Sequence, residues 1–204
     1  MTENIFSGNT KRKKGKIGMQ IYLAGNCGAE MRPLMVSIAE YIRKIKLTSK
    51  EKINVYCPFE LQIDEKDEHG KWKMTQEVWG TKVFLFDEDA IRKCDLFLMI
   101  SEGRISSAGT NFELGLAYGL KKRTSVIQIT REDTSLMTWG GSTDFINLRE
   151  PICLYLPTKK QIFDNQRELY ESALKTLKEK ITTIILNAYR NGDPIKDICL
   201  THLT

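Results

Sequence analysis

Five short runs of apolar, β-prone residues punctuate the chain: "MQIYLA" at 19–24, "INVYC" at 53–57, "DLFLMI" at 95–100, "TSVIQI" at 124–129 and "ICLYL" at 152–156. Within each run the apolar residues follow one another rather than alternating with polar ones, the pattern of parallel strands covered on both faces. Helical spacing fills the intervals, over Met31 to Lys46, a short piece from about Glu88 to Cys94, and Asn111 to Lys121. Strand and helix therefore alternate, which predicts an α/β sandwich around a parallel sheet. Ligands of such sheets bind beyond the carboxyl ends of the strands, so the residues just after each run carry the functional information.

Ile162, Leu169, Ala173, Leu177, Ile181 and Ile184 recur every three to four positions with charges between them, predicting one long amphipathic helix over 160–190 that closes at "NGDP". Its apolar stripe either covers the sheet or meets another subunit; covering the sheet is the commoner fate and the expectation here. Residues 1–16 read as a basic disordered tail, 17–157 as the α/β domain, and 158–204 as a C-terminal amphipathic helix and tail packed on that same domain. No internal repeat is evident.

Composition refines this picture only slightly. The 204 residues suffice for one sizeable core. The net charge of +5 is concentrated in "TKRKKGK" at 10–16, and without that run the chain is near neutral. A solvated tail is thus the ordinary reading, and the body lacks the basic face of a nucleic-acid partner. Cys27, Cys57, Cys94, Cys153 and Cys199 are odd in number and show no CxxC spacing, as expected of reduced thiols in a cytoplasmic protein rather than of a metal or redox site. No apolar run approaches the length of a membrane span.

The strand ends offer candidates, each with an ordinary structural alternative. "YLAGNCGAEMRP" follows the first strand, and its glycines, Gly25 among them, either bring backbone amides to a ligand or make a tight turn; the P-loop lysine and a full GxGxxG are both missing. Asp87, in "FDEDAIRKCD", stands where it would cap a short helix. After the third strand, "ISSAGTNFELGLAYGL" places Thr110 and Glu113 as a capping box. The loop before that box, with Ser107 and Gly109, is nearly free of bulky side chains, and Glu113 stands at a strand carboxyl end. A helix amino terminus would keep this carboxylate ionised at neutral pH, which makes it a possible nucleophile. "SLMTWGGSTDFINL", after the fourth strand, carries Met137, Trp139 and Phe145 around a flexible double glycine, as core plugs or as stacking surfaces for a nucleobase.

In this order, "IYLAG", "VWGTKVFLFDEDAIRKCD", "GTNFELGLAYGL" and "LMTWGGSTDFI" resemble the nucleoside 2-deoxyribosyltransferase family over about residues 19–148. Asp87 keeps the family interval of eight residues to the strand-opening Asp95, and Glu113 has the family's E-L-G setting. The resemblance implies a doubly wound, flavodoxin- or Rossmann-like five-stranded parallel sheet with helices on both faces. It implies double displacement at the anomeric carbon of a 2′-deoxynucleoside: Glu113 attacks C1′, Asp87 helps protonate the departing base, and Tyr22 orients Glu113. Gly25, Ser107, Gly109, Trp139 and Asp144 complete the set as substrate-binding residues. The chemistry is that of retaining glycosidases and calls for no metal or organic cofactor.

Two positions depart from the family pattern. Ser107 replaces an Asp six residues before the nucleophile, as in the related deoxynucleoside 5′-monophosphate N-glycosidases, where a serine contacts the phosphate. Asp144 replaces an Asn of the tryptophan loop and would bring negative charge to that end of the sugar. A hydroxyl tolerates a phosphate and a carboxylate repels it, so the two changes pull in opposite directions. The implied partners are a nucleoside or nucleotide, a free nucleobase, and further copies of the chain in a dimer or trimer of dimers, with Asp144 completing a neighbour's site. Three functions follow: sugar transfer between bases, hydrolysis of a 2′-deoxynucleoside 5′-monophosphate, and a nucleotide-binding sensor without turnover. A dinucleotide-binding oxidoreductase lies further off, because its fingerprint is absent.

Overall fold

A computed structural model describes residues 18–26, 31–61, 68–69, 71, 73–102, 107–130, 135–149 and 164–196. The basic tail, the run at 152–156, Ile162, Cys27, Cys153 and Cys199 lie outside the described residues. Five parallel strands, β1 (Met19–Gly25), β2 (Ile53–Tyr56), β3 (Leu96–Ser101), β4 (Arg123–Gln128) and β5 (Asp144–Asn147), form one sheet in the order β2-β1-β3-β4-β5. Helices α1 (Arg32–Lys44), α2 (Gln76–Lys93), α3 (Ala108–Gly119), α4 (Leu136–Gly141) and α5 (Asp164–Tyr189) connect and follow them. This strand order is the doubly wound flavodoxin type, whose switch point lies between β1 and β3.

The unbroken apolar runs have a direct cause. Successive side chains of a strand point to opposite faces, and here each face has its own core. Ile21, Leu23, Leu96, Leu98, Ile100, Ile127 and Ile146 meet Leu34, Met35 and Ile38 of α1 and Leu177, Ile181 and Ile184 of α5. Tyr22, Ala24, Phe97, Met99, Val126 and Phe145 meet Ile91 of α2 and Leu114 and Ala117 of α3. The stripe of α5 is thus buried against the first face, while Leu169 stays 54% exposed.

Three elements differ from the sequence expectation. The helix expected from about Glu88 begins at Thr75, whose hydroxyl accepts from the Val78 amide, and runs to Lys93. Helix α3 is capped by Ser107, which accepts from the Thr110 amide, so Thr110 and Glu113 are not its capping box. The stretch expected to be a loop with a flexible double glycine contains α4 and the strand β5.

Local bonds fix these elements. Asp95 accepts the Gln20 amide and ties the start of β1 to β3. Lys122 reaches the Arg92 and Cys94 carbonyls at the end of α2, where a cation also suits the helix dipole. Gly18 opens β1 with φ at 104°, and a side chain there would collide with the Lys52 carbonyl. Among the described residues no helix is long and apolar enough to cross a membrane, and no group of His, Cys, Asp and Glu is placed to hold a metal ion.

Candidate active site

The second face carries the chemistry. Tyr22 points to that face from the middle of β1 and is fully buried, its ring stacked between Tyr56 and Phe97 with centroids 5.3 Å from each. Asp87 comes from α2 and Glu113 from the second turn of α3, both half-buried. Sequence separation is 26 positions, yet the carboxyls meet against the Tyr22 hydroxyl, close enough for each to hold the proton more firmly on the phenol. That hydroxyl is buried and closes no hydrogen bond of ordinary geometry among the described residues. It is therefore a donor held in reserve between two acids.

Neither acid is a helix cap, so the ordinary explanation for each falls away. Burial also reverses the expectation that Glu113 is ionised by a helix terminus. Desolvation pushes its carboxyl up to about 7, with the Tyr22 hydroxyl opposing and Asp87 adding to the rise. Asp87 is raised as well, again mainly by burial, while the Tyr56 and Tyr22 hydroxyls pull it down. Tyr56 donates to Asp87 Oδ1 at 2.8 Å. Both carboxyls thus keep a proton to higher pH than they would in water.

Beside the acids a cavity of about 220 Å³ opens between α2 and α3. Asp87, Glu88, Gly109 and Glu113 line it together with Trp79, Phe84, Phe112 and aliphatic side chains. Phe84 and Phe112 form a tilted pair 5.9 Å apart, one from each helix. A planar, largely apolar ligand with a reactive edge toward the acids suits this lining.

The other expected residues have different surroundings. The Gly25 carbonyl accepts from the Thr110 hydroxyl at 2.9 Å and so holds α3 to β1, while a Cβ on Gly25 would come within 2.6 Å of Met35 Cε, so the missing side chain makes room for α1. Since Thr110 spends its proton there, Ser107 Oγ is the donor in its 2.7 Å bond to Thr110 Oγ1. Trp139, on α4, is not among the cavity-lining residues; the Lys196 ammonium stands 4.3 Å above its ring. Asp144 is fully buried at the start of β5, with Arg123 Nε and Nη2, Ser125 Oγ and the Ile195 amide all donating to it. The structure thus brings together Tyr22, Asp87, Gly109 and Glu113, with Gly25 and Ser107 at the adjoining end of α3, and places Trp139 and Asp144 elsewhere.

Sequence reasoning missed Tyr56 and Trp79. Tyr56 ends the second apolar run, where the strand-end rule points. Trp79 lies in a part of α2 that had no legible helical pattern, and its buried indole N–H has no hydrogen-bond partner among the described residues.

The nucleoside 2-deoxyribosyltransferase family model matches residues 21–169. Among solved structures the chain is similar to a 2-deoxyribosyltransferase from the psychrotolerant bacterium Bacillus psychrosaccharolyticus, with 27% identity and a TM-score of 0.50 over 62% of this chain and 85% of that one. It is also similar to a CMP N-glycosidase of Clostridium botulinum, at 19% identity and TM-score 0.43, over 65% of this chain and 91% of the other. A conserved protein from Enterococcus faecalis, at 18% identity and TM-score 0.43, is covered over 92% of its length by 88% of this chain. No curated protein matches.

Proposed function

The chain belongs to the nucleoside 2-deoxyribosyltransferase family and is an enzyme of that kind, and from this premise we propose that it moves the sugar of a 2′-deoxynucleoside from one base to another through a covalent ester on Glu113. In the first half-reaction the Glu113 carboxylate bonds to C1′ as the C1′–N bond breaks, and Asp87 gives its proton to the departing base. Tyr22 donates to Glu113 and holds the attacking oxygen in place. A second base then attacks C1′ from the face the first one left, returning its proton to Asp87 and freeing Glu113. Two inversions restore the original configuration, as in retaining glycosidases.

The observation that carries this reading is the meeting of two half-buried carboxyls from different helices under one unpartnered phenol, beside an aromatic-walled cavity. A carboxylate in a desolvated site stabilises the positive charge that develops on the sugar more strongly than it would in water. The aromatic walls supply stacking surface for leaving and entering bases alike.

A second reading, hydrolysis of the 5′-monophosphate, is favoured by one observation: the amino end of α3, with the Ser107 hydroxyl and the first helical amides, adjoins Gly109 in the cavity wall. Such a terminus suits a phosphate. Assembly of further copies belongs to the same proposal, with Leu85 and Phe86 of α2 and Leu136 and Met137 of α4 as exposed apolar surface for it. So does a cytoplasmic setting, in keeping with the free thiols of Cys57 and Cys94.

Mass spectrometry of products from 2′-deoxyinosine and from its 5′-monophosphate, with and without adenine, tests these readings. Transfer gives 2′-deoxyadenosine only when adenine is present, and gives none with Glu113→Gln. Free hypoxanthine from the monophosphate alone selects hydrolysis. Binding of both with no product from either selects the sensor.

A further inference from the structure

Tyr56 is the last residue of β2, and its half-buried ring leans on Tyr22, which leans on Phe97. The three stacked rings fix where the Tyr56 hydroxyl can be, and from there it donates to Asp87 Oδ1 at 2.8 Å. A carboxyl oxygen that accepts this bond is the poorer place for a proton of its own. When Asp87 is neutral, its proton therefore sits on Oδ2.

Resting on the proposed deoxyribosyl transfer, we propose that Tyr56 is a positioning residue that leaves Asp87 Oδ2 as the one oxygen handling the base proton and steadies the carboxylate left behind. In the step concerned, the Oδ2 proton passes to a ring nitrogen of the base and the C1′–N electron pair goes to the base. A Glu113 oxygen bonds to C1′, and Asp87 ends as a carboxylate. The Tyr56 hydrogen bond is neutral at the start and charge-assisted at the end, so it strengthens as the reaction proceeds. Interactions that grow toward the transition state raise kcat and leave KM nearly alone.

The groups around Asp87 support this assignment. Tyr56 faces it from β2, Tyr22 from β1 and Glu113 from α3, while on its own helix the neighbouring Glu88 is paired with Arg92 at 2.7 Å. Burial and the nearby acids push both phenols far up, so they remain protonated donors, and the Cys57 thiol, pushed up to about 11, stays neutral. Tyr56 and Tyr22 are thus the two donors that lower Asp87, and only Tyr56 also makes a hydrogen bond of good geometry to it.

The test is Tyr56→Phe, which keeps the ring stack, with two nucleosides that differ in how the base leaves. 2′-Deoxyinosine needs a proton on its base; 7-methyl-2′-deoxyguanosine carries a cationic base that leaves without one. We expect kcat on deoxyinosine to fall roughly tenfold to a hundredfold, the worth of a hydrogen bond to a charged group, with KM little changed. The loss on the methylated nucleoside should be at least about fivefold smaller. In the substrate-free protein, ¹³C NMR should show the Asp87 carboxyl, assigned by its absence in Asp87→Asn, titrating at higher pH in Tyr56→Phe than in the wild type. Equal losses on the two nucleosides, or an unmoved Asp87 titration, would overturn the proposal. Failure of the wild type to cleave either nucleoside would remove the transferase reading instead, and the titration, which needs no turnover, would still decide whether Tyr56 governs the Asp87 proton.

Discussion

Asp144 and the Asp87 and Glu113 pair both place carboxyls inside the protein, in opposite company. Asp144 is fully buried and supplied with donors: two guanidinium nitrogens of Arg123, a serine hydroxyl and a backbone amide. Arg123 also donates to the Gly192 and Asp193 carbonyls, so this cluster ties β4, β5 and the segment after α5 together. Asp87 and Glu113 are less buried and have phenols for donors, one of them without a closed hydrogen bond. An acid whose lone pairs are filled and whose charge is matched is a fixed anchor; two acids with too few donors and a cavity beside them have raised carboxyls and room for a ligand. The donor supply, more than the residue type or depth of burial, separates scaffold from site.

The strongest way to break this contrast is Glu113→Gln. On the proposed mechanism it removes the nucleophile and costs roughly 10⁴-fold or more in turnover, by analogy with losses of other covalent nucleophiles. Because an amide of the same shape replaces a carboxyl that burial disfavours as an ion, the thermal midpoint should hold or rise. Product analysis and a melting curve on the same preparation check both halves. A variant that keeps turnover would leave Glu113 with no catalytic part.

Asp144→Ala should show the opposite balance. Removing one partner of a buried pair leaves the Arg123 guanidinium uncompensated and costs about 3–5 kcal/mol. For a domain of this size that is a fall in the thermal midpoint of roughly 10 °C or more. The folded fraction, measured well below the midpoint, should keep its kcat. A large loss of kcat at unchanged stability would return Asp144 to the substrate site, where the family pattern puts an Asn.

What the sequence concealed follows the same line. Four of the five apolar runs became strands of the sheet because two cores cover it, and continuous apolar character survives any shift in register. The start of α2 was hidden because Val78, Phe84, Leu85 and Phe86 are apolar and largely exposed, which blurs the 3.6-residue contrast. β5 is four residues long and was too short to stand out from a glycine-rich loop. Glu113 was legible as a strand-end acid and Asp87 through its family interval to Asp95, but their local patterns imitate caps: the S-x-x-T cap of α3 lies three residues ahead of a T-x-x-E that looks better. The donors that sort Asp144 from the pair come from positions 19 to 51 residues away and leave no local trace.

The pH dependence sharpens the contrast at intermediate magnitude. Glu113 has its carboxyl raised to about 7 in the folded protein, so the folded state binds the proton more tightly than the unfolded chain. The neutral form's contribution to stability is full below the ordinary glutamate range and is lost as pH rises through about 7. Urea unfolding between pH 4.5 and 7.5 should show the wild type losing about 2–3 kcal/mol relative to Glu113→Gln over that window. Asp87, raised in the same direction, adds to the loss in both proteins. On the proposed mechanism Glu113 attacks as the carboxylate, so kcat/KM should rise as pH approaches about 7. A flat stability difference would mean that Glu113 is ionised throughout.

Ser107→Ala is the smallest expected change and probes the border between the two kinds of site. Its hydroxyl accepts from the Thr110 amide at 3.3 Å and donates to the Thr110 hydroxyl, which in turn holds the Gly25 carbonyl. As a cap and the outer end of this chain of bonds, Ser107 contributes about 1 kcal/mol, and alanine should lower the thermal midpoint by roughly 2–4 °C. Its one donor is then spent on scaffold, and the preference between a nucleoside and its 5′-monophosphate should not change. If the hydroxyl instead turns to a substrate phosphate, the monophosphate reaction alone will lose rate, because the nucleoside has nothing there to lose. Comparing kcat/KM for the two substrates in wild type and variant separates these cases, since a purely structural defect lowers both values by the same factor.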